Sequence, residues 1–219
     1  MTWFAPLLPE TAVSIEATGR MWEIGLLPDE AKYVLYAVDK RRREFTAGRN
    51  CAREGLRRLG LEPAAIPVGP MRAPVFPPGV SGSITHTGDY CAAAIIRRGD
   101  VLSIGIDAET NQCFVEDAPG FCTSEECSAV AELAQGSSVN WFGIIFSAKE
   151  SFYKAWFQLY QTYLDFQDVT IHFHPQLKEF SMKATRSDAA ELMRVVTFVG
   201  RYVCDAHLIC TAVTAVEQR

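Results

Sequence analysis

The sequence predicts a fold of the α+β class, and three observations carry that expectation. The stretch NWFGIIFSAKESFYKAWFQLY, residues 140–160, has the length of a helix and is apolar on most of its faces. The stretch CAAAIIRRGDVLSIGIDAE reads as two apolar strands, Cys91–Arg97 and Val101–Glu109, joined near Gly99-Asp100. From about Asp168 onward the chain reads as strands: VTIHFH, RVVTFVGRYV and HLICTAVTAV. With 219 residues, one large domain or two small lobes can each bury a sizeable core.

Taken in order, DKRRREFTAGRNCAREGLRRLG is a helix. Phe45, Cys51, Ala52, Leu56 and Leu59 give it an apolar stripe, and Gly60 with Pro63 ends it. The proline-rich EPAAIPVGPMRAPVFPPGVSGS that follows reads as loop or short extended pieces. GSITHTGDY, 82–90, reads as a Gly-bracketed loop that leads into the strand pair. CTSEECSAVAELA opens a helix, because Thr123 and Glu126 have capping-box spacing.

The 48% hydrophobic and 21% charged contents are those of an ordinary globular chain. No run of apolar residues has the roughly 18 needed to cross a membrane. The N-terminus lacks the basic start of a secretory signal. Seven irregularly spaced cysteines argue against a disulfide framework, so a reducing cytoplasm is expected. The net charge is −5, yet Lys40, Arg41, Arg42, Arg43, Arg49, Arg53, Arg57 and Arg58 hold eight of the 21 cationic side chains. Such a patch on an acidic protein points to one local anionic ligand, not to a nucleic-acid-coating surface. Its bland alternative is a solvated helix face.

The chemistry gathers around IGIDAE. Asp107 and Glu109 lie two apart on a strand, hence on one face, and adjacent unneutralised carboxylates repel. In FSAKESFYKAW, Ser147, Glu150, Ser151 and Lys154 fall at i, i+3, i+4 and i+7 and predict one polar stripe on an otherwise apolar helix. Asp107, Glu109 and Glu150 could together hold one divalent cation, and all-oxygen ligands suit Mg²⁺ or Mn²⁺. The hydroxyls and His86 of GSITHTGDY could cradle a phosphate. His172 and His174 share a strand face but have no evident third metal ligand. Cys122 and Cys127 read as small buried residues, and Trp156, Phe157, Tyr160, Tyr163 and Leu164 as mostly core.

In this order and spacing, KRRREFTAGRNCAR, RAPVFP, GSITHTGDYCAAAI, IGIDAE and FSAKESFYKAW resemble the 4'-phosphopantetheinyl transferases of the surfactin- and enterobactin-synthase-activating type. The resemblance spans roughly residues 38–160. Met71 departs from it, standing where some relatives carry lysine.

The resemblance implies two pseudo-symmetric lobes, 1–108 and 109–219, each of antiparallel sheet plus helix, with coenzyme A in the cleft between them. The second lobe would carry the catalytic helix, 140–158, and the carrier contact. It implies transfer of the phosphopantetheine arm of coenzyme A to a serine of an acyl or peptidyl carrier protein. Asp107, Glu109 and Glu150 would be the ligands of Mg²⁺ or Mn²⁺. Glu150 would also be the base for the serine, directly or through water, and Lys154 would steady the breaking pyrophosphate. Arg41, Arg49 and Arg72 would hold the 3'-phosphate and adenine end, with Thr85 and His86 on phosphate. The expected enzyme is a cytoplasmic monomer serving nonribosomal peptide, polyketide or siderophore synthesis. Two rivals differ in chemistry: a metal-dependent phosphohydrolase acting on coenzyme A, and a silent coenzyme A or carrier-binding module.

Overall fold

Residues 2–111, 116–135 and 138–218 are described by the computed structural model. The elements run β1 (Val13–Glu16), α1 (Pro28–Ala31), α2 (Asp39–Arg58), β2 (Val80–Thr87), β3 (Tyr90–Arg97), β4 (Val101–Thr110), α3 (Ala118–Phe121), α4 (Ser124–Leu133), α5 (Trp141–Tyr160), β5 (Val169–His174), β6 (Glu179–Ala184), α6 (Ser187–Leu192), β7 (Val196–Cys204) and β8 (Leu208–Glu217). They build a three-stranded sheet, β1-β3-β2, and a five-stranded sheet, β4-β8-β7-β6-β5. Every paired strand is antiparallel to its neighbour, so the α+β expectation holds.

Alternation along β3 explains the layering. Ala93 and Ile95 pack with Cys51, Ala52 and Leu56 of α2. Ala92, Ala94 and Ile96 face the other way, into a core shared with Ile104, Ile106 and Ala108 of β4 and with Phe4, Leu7 and Leu8 near the N-terminus. On the far face of the second sheet, Ile144, Ile145, Ala148, Phe152 and Trp156 of α5 pack on Ile209, Val213 and Phe198. The capping box at α4 forms as expected: Thr123 N–H donates to Glu126 Oε2 at 2.7 Å, and Glu126 N–H donates to Thr123 Oγ1 at 3.3 Å.

Three expectations change. GSITHT is not a loop but most of β2, in register with β3 from Val80↔Arg97 to Thr87↔Tyr90. The turn falls instead at Gly88, whose φ of 54° suits glycine. The strand EFSMKA, residues 179–184, was missed between VTIHFH and RVVTFVGRYV. It buries Phe180 and Met182 while leaving Lys183 exposed, the period-2 pattern of a half-covered strand. A division at 108/109 would cut β4, which pairs with β8 from Val101 to Thr110, whereas a division in the 98–100 turn leaves both sheets whole.

The seam between the sheets is a ladder of hydroxyls. Backbone N–H groups of Ile104, Ile106 and Ala108 donate to Ser81 Oγ, Ser83 Oγ and Thr85 Oγ1 at 3.0, 3.0 and 2.9 Å. Thr110 N–H reaches Thr87 Oγ1 at 3.3 Å. Buried strand-edge donors are costly when unmet, and alternate Ser and Thr side chains of β2 meet those of β4.

Gly105 sits where α5 crosses β4. A Cβ there would lie 2.0 Å from the Ser151 carbonyl oxygen and 2.7 Å from Ala155 N, backbone atoms with nowhere to retreat. Gly105→Ala therefore has to push α5 off the strand. A loss of about 1–3 kcal/mol is expected, read as a lower urea midpoint at unchanged slope.

Candidate active site

A cleft of ≈ 960 Å³ opens along this seam. Its walls are the segment 32–37, one face of α2, the turn around 68–74, β2, the end of β4 and one face of α5. Asp107, Glu109, Glu150, Lys154, Arg41, Arg49, Arg72, Thr85 and His86 all line it, so each residue expected from sequence reaches one place.

The acidic end is built by β4 and α5. Asp107 is 3% exposed, and its Oδ1 accepts from Lys154 Nζ at 2.6 Å and Thr85 Oγ1 at 3.3 Å. Its other oxygen, Oδ2, is buried with no hydrogen-bond partner among the described residues. Thr87 Oγ1 donates to Glu109 Oε2 at 3.4 Å. Burial, reinforced by Asp107 and opposed by Lys154, pushes the Glu109 carboxyl up to about 7. Burial likewise raises Glu150, with Lys154 opposing and Asp107 adding to the shift. Burial works against the Lys154 ammonium, but Asp107 and Glu150 outweigh it and hold the group above its ordinary value.

This site favours added positive charge. An unpartnered buried carboxylate oxygen beside two carboxyls held above their usual range is the donor set that a hard divalent cation satisfies. Among the described residues no three His, Cys, Asp or Glu side chains stand close enough to form a ready-made metal cluster. Lys154 lies against one oxygen of Asp107, and the fit rests on the chemistry of the donors.

The cationic end is narrower than the sequence suggested. Arg41 Nη1 donates to His86 Nε2 at 2.9 Å, and Glu44 Oε2 lies 3.6 Å from His86 Nδ1. Burial lowers His86, with Glu44 opposing and Arg41 adding, which favours a neutral ring accepting from Arg41. Arg49 is buried: its Nε donates to the Ile66 carbonyl at 2.7 Å, and its guanidinium lies 4.1 Å from the Phe45 ring centre. Burial brings its pKa down to about 10. Arg72 follows Met71 in the turn Pro70–Arg72, and both hold positive φ, 61° and 50°. Two consecutive non-glycine residues in that region mark strain of the kind that collects at ligand sites.

Four more arginines of the basic segment have partners of their own. Arg53 pairs with buried Glu30, Arg57 and Arg58 with Glu54, and Arg43 lies over the Trp22 ring. These partners sit three or four residues away or some twenty residues upstream, at Trp22 and in α1, so the charge run alone did not separate ligand-facing from paired arginines.

The polar stripe of α5 also divides. Glu150 and Lys154 face the cleft, whereas Ser147 and Ser151 are fully buried against Thr211 Oγ1, each at 2.9 Å. Thr85 changes role as well, because its hydroxyl already serves Ala108 N–H and Asp107 and so orients a carboxylate. Thr87, one of the hydroxyls expected to face phosphate, instead bonds Glu109 and the Thr110 N–H. Sequence reasoning missed Lys149, whose Nζ bridges the Phe121 and Phe166 carbonyls at 2.8 and 2.6 Å and Glu126 at 2.8 Å. Lys149 thus fixes α5 to α3, α4 and the start of β5. His174 bonds Ser181, and the His172 ring nitrogen Nδ1 lies 3.8 Å from Glu125.

Comparison with known proteins shows the family. Residues 29–96 match the 4'-phosphopantetheinyl transferase N-terminal domain model, and residues 103–205 match that of the 4'-phosphopantetheinyl transferase superfamily. The chain is 36% identical over 191 residues to 4'-phosphopantetheinyl transferase Svp of Streptomyces mobaraensis, covering 86% of this chain and 78% of Svp. It is 36% identical over 176 residues to 4'-phosphopantetheinyl transferase PptT of Mycobacterium tuberculosis, covering 78% of each. Enterobactin synthase component D of Salmonella typhi is 36% identical over 123 residues, 53% of this chain and 48% of that protein. The chain belongs to the 4'-phosphopantetheinyl transferase family and is an enzyme of that class. No helix among the described residues is long and apolar enough to cross a membrane.

Proposed function

We propose that this enzyme moves the 4'-phosphopantetheine arm of coenzyme A onto a serine hydroxyl of an acyl or peptidyl carrier protein, releasing adenosine 3',5'-bisphosphate. The observation that carries the residue assignments is the buried Oδ2 of Asp107, without a partner among the described residues while Oδ1 takes Lys154, in a cleft whose other end presents Arg41, His86 and Arg72. Asp107, Glu109 and Glu150 would hold Mg²⁺ or Mn²⁺. Such an ion, when bound, draws charge from the pyrophosphate oxygens and fixes their position.

The chain's own groups supply the rest. The serine oxygen attacks the pyrophosphate phosphorus that bears the pantetheine arm, and the bond from that phosphorus to the bridging oxygen breaks. Charge grows on the departing 3',5'-bisphosphate, where the Lys154 ammonium, kept protonated by Asp107 and Glu150, stabilises it. The serine proton passes to Glu150, directly or through water. A carboxylate in that position assists a hydroxyl that is a weak nucleophile near neutral pH. Arg41 and Arg72 hold the 3'-phosphate and adenine end, with His86 bonded to Arg41. Arg49 backs this wall from within.

We place it in the cytoplasm as a monomer serving siderophore, nonribosomal peptide or polyketide carriers; the six described cysteines are free, as a reducing compartment keeps them. Mass spectrometry of apo carrier proteins incubated with the enzyme, coenzyme A and Mg²⁺ tests the reading. The carrier should gain one phosphopantetheine; free phosphopantetheine with an unmodified carrier would identify a hydrolase instead, and no reaction a silent binding module.

The 3'-phosphate assignment has its own measurement. Arg41→Ala should weaken coenzyme A far more than 3'-dephospho-coenzyme A. One charge-assisted contact is worth about 1.5–3 kcal/mol, so the loss should be roughly tenfold to a hundredfold. Equal losses for both ligands in titration calorimetry would return Arg41 to a solvated helix face.

A further inference from the structure

Gln158 closes a ring of hydrogen bonds where both sheets meet α5. Its Oε1 accepts from Ser81 Oγ at 2.7 Å and Gly82 N–H at 3.3 Å. Its Nε2 donates to the Ile104 carbonyl at 2.7 Å and the Lys154 carbonyl at 2.8 Å. Ile104 N–H donates in turn to Ser81 Oγ at 3.0 Å. Two carbonyls on one side and an N–H and a hydroxyl on the other fix the amide orientation and use its full capacity.

We infer that Gln158 is a positioning residue for the transfer reaction, setting the depth at which Lys154 enters the cleft relative to β2 and β4. The inference rests on the reading under Proposed function. Lys154 lies one helical turn before Gln158, and its ammonium must meet both Asp107 Oδ1 and the Ile106 carbonyl, 2.6 and 3.2 Å away. Ile106 is two residues beyond Ile104, the residue Gln158 grips. The helix that carries Lys154 and Glu150 is therefore registered against the strand that carries Asp107 and Glu109 at a point just below the acids. The same amide holds β2 at Ser81-Gly82, upstream of Thr85 and His86. A helix slide of a fraction of an ångström at Gln158 would part Lys154 from the charge it stabilises, and small misplacements of this kind are costly to turnover.

The test compares Gln158→Glu and Gln158→Met with the parent. Glutamate keeps the acceptor for Ser81 and Gly82 but loses the donors to Ile104 and Lys154; methionine keeps the volume and loses every bond. A third variant, Met182→Ala, opens a void in the core at β6, away from the cleft, and controls for plain destabilisation. Turnover and KM for coenzyme A are measured with one apo carrier protein at a temperature well below every melting midpoint. Both Gln158 variants should lose about tenfold or more in kcat with KM within about threefold, as expected when a transition-state group is misplaced. Met182→Ala should melt earlier yet keep near-parental kcat. The inference is overturned if either Gln158 variant keeps kcat within about twofold of the parent, if KM carries the whole loss, or if Met182→Ala loses kcat equally. Failure of the parent to modify any carrier would instead overturn the transferase reading, so the two failures are distinct.

Discussion

Asp107→Asn is expected to leave a folded protein whose turnover has fallen by at least ~10²-fold. Asparagine has the volume of aspartate and can still accept from Thr85 and Lys154, so the buried position at the end of β4 keeps its packing and two of its contacts. It loses the charge, and the nitrogen that replaces one oxygen cannot ligate a cation. The half-saturating Mg²⁺ concentration should rise together with the loss of turnover, while far-UV circular dichroism and the unfolding midpoint stay close to parental. Alanine is a poorer probe here, since it also strands the Lys154 ammonium in a half-buried site. Parental turnover of Asp107→Asn at limiting Mg²⁺ would sink the assignment of Asp107 as a ligand.

The acidic half of the site was legible because strand and helix periodicities are local. Asp107 and Glu109 had to share a face of β4, and Glu150 and Lys154 had to share a face of α5. Gly105 on that strand face lets the α5 backbone come close, so the two sets of charges meet. What was not legible depends on partners far along the chain. Ser147 and Ser151 have the same spacing as Glu150 and Lys154, but Thr211, some sixty residues later, draws them into the core. Arg53 was one of eight similar cations until Glu30 claimed it. GSITHT misled for a different reason. Its glycine and hydroxyls are loop residues by composition, yet every second side chain answers an N–H of β4, and a ladder between two sheets leaves no signature in either strand alone.

Glu150 and Lys154 sit one turn apart on α5, a spacing that in isolation describes a surface ion pair worth fractions of a kcal/mol. The structure gives the ammonium other partners, Asp107 Oδ1 and the Ile106 carbonyl, so the two residues should respond differently to substitution. Glu150→Gln keeps the shape and removes one anionic ligand and the proton acceptor. Turnover should fall by ~10²-fold or more, the usual size of lost general-base help, and Mg²⁺ should bind more weakly. Lys154→Met keeps most of the stem and removes the charge. Turnover should again fall by ~10²-fold, since one electrostatic stabiliser is gone. Mg²⁺ should bind at least as tightly as in the parent, however, because Asp107 Oδ1 is released from its ammonium and the repulsion between Lys154 and the cation disappears. Opposite movements of Mg²⁺ affinity at similarly low turnover are the signature, measured with one carrier protein across a Mg²⁺ titration. If both variants keep near-parental turnover, the pair only fastens α5 to β4. If both weaken Mg²⁺ alike, Lys154 shapes the cation site and does not act on the leaving group.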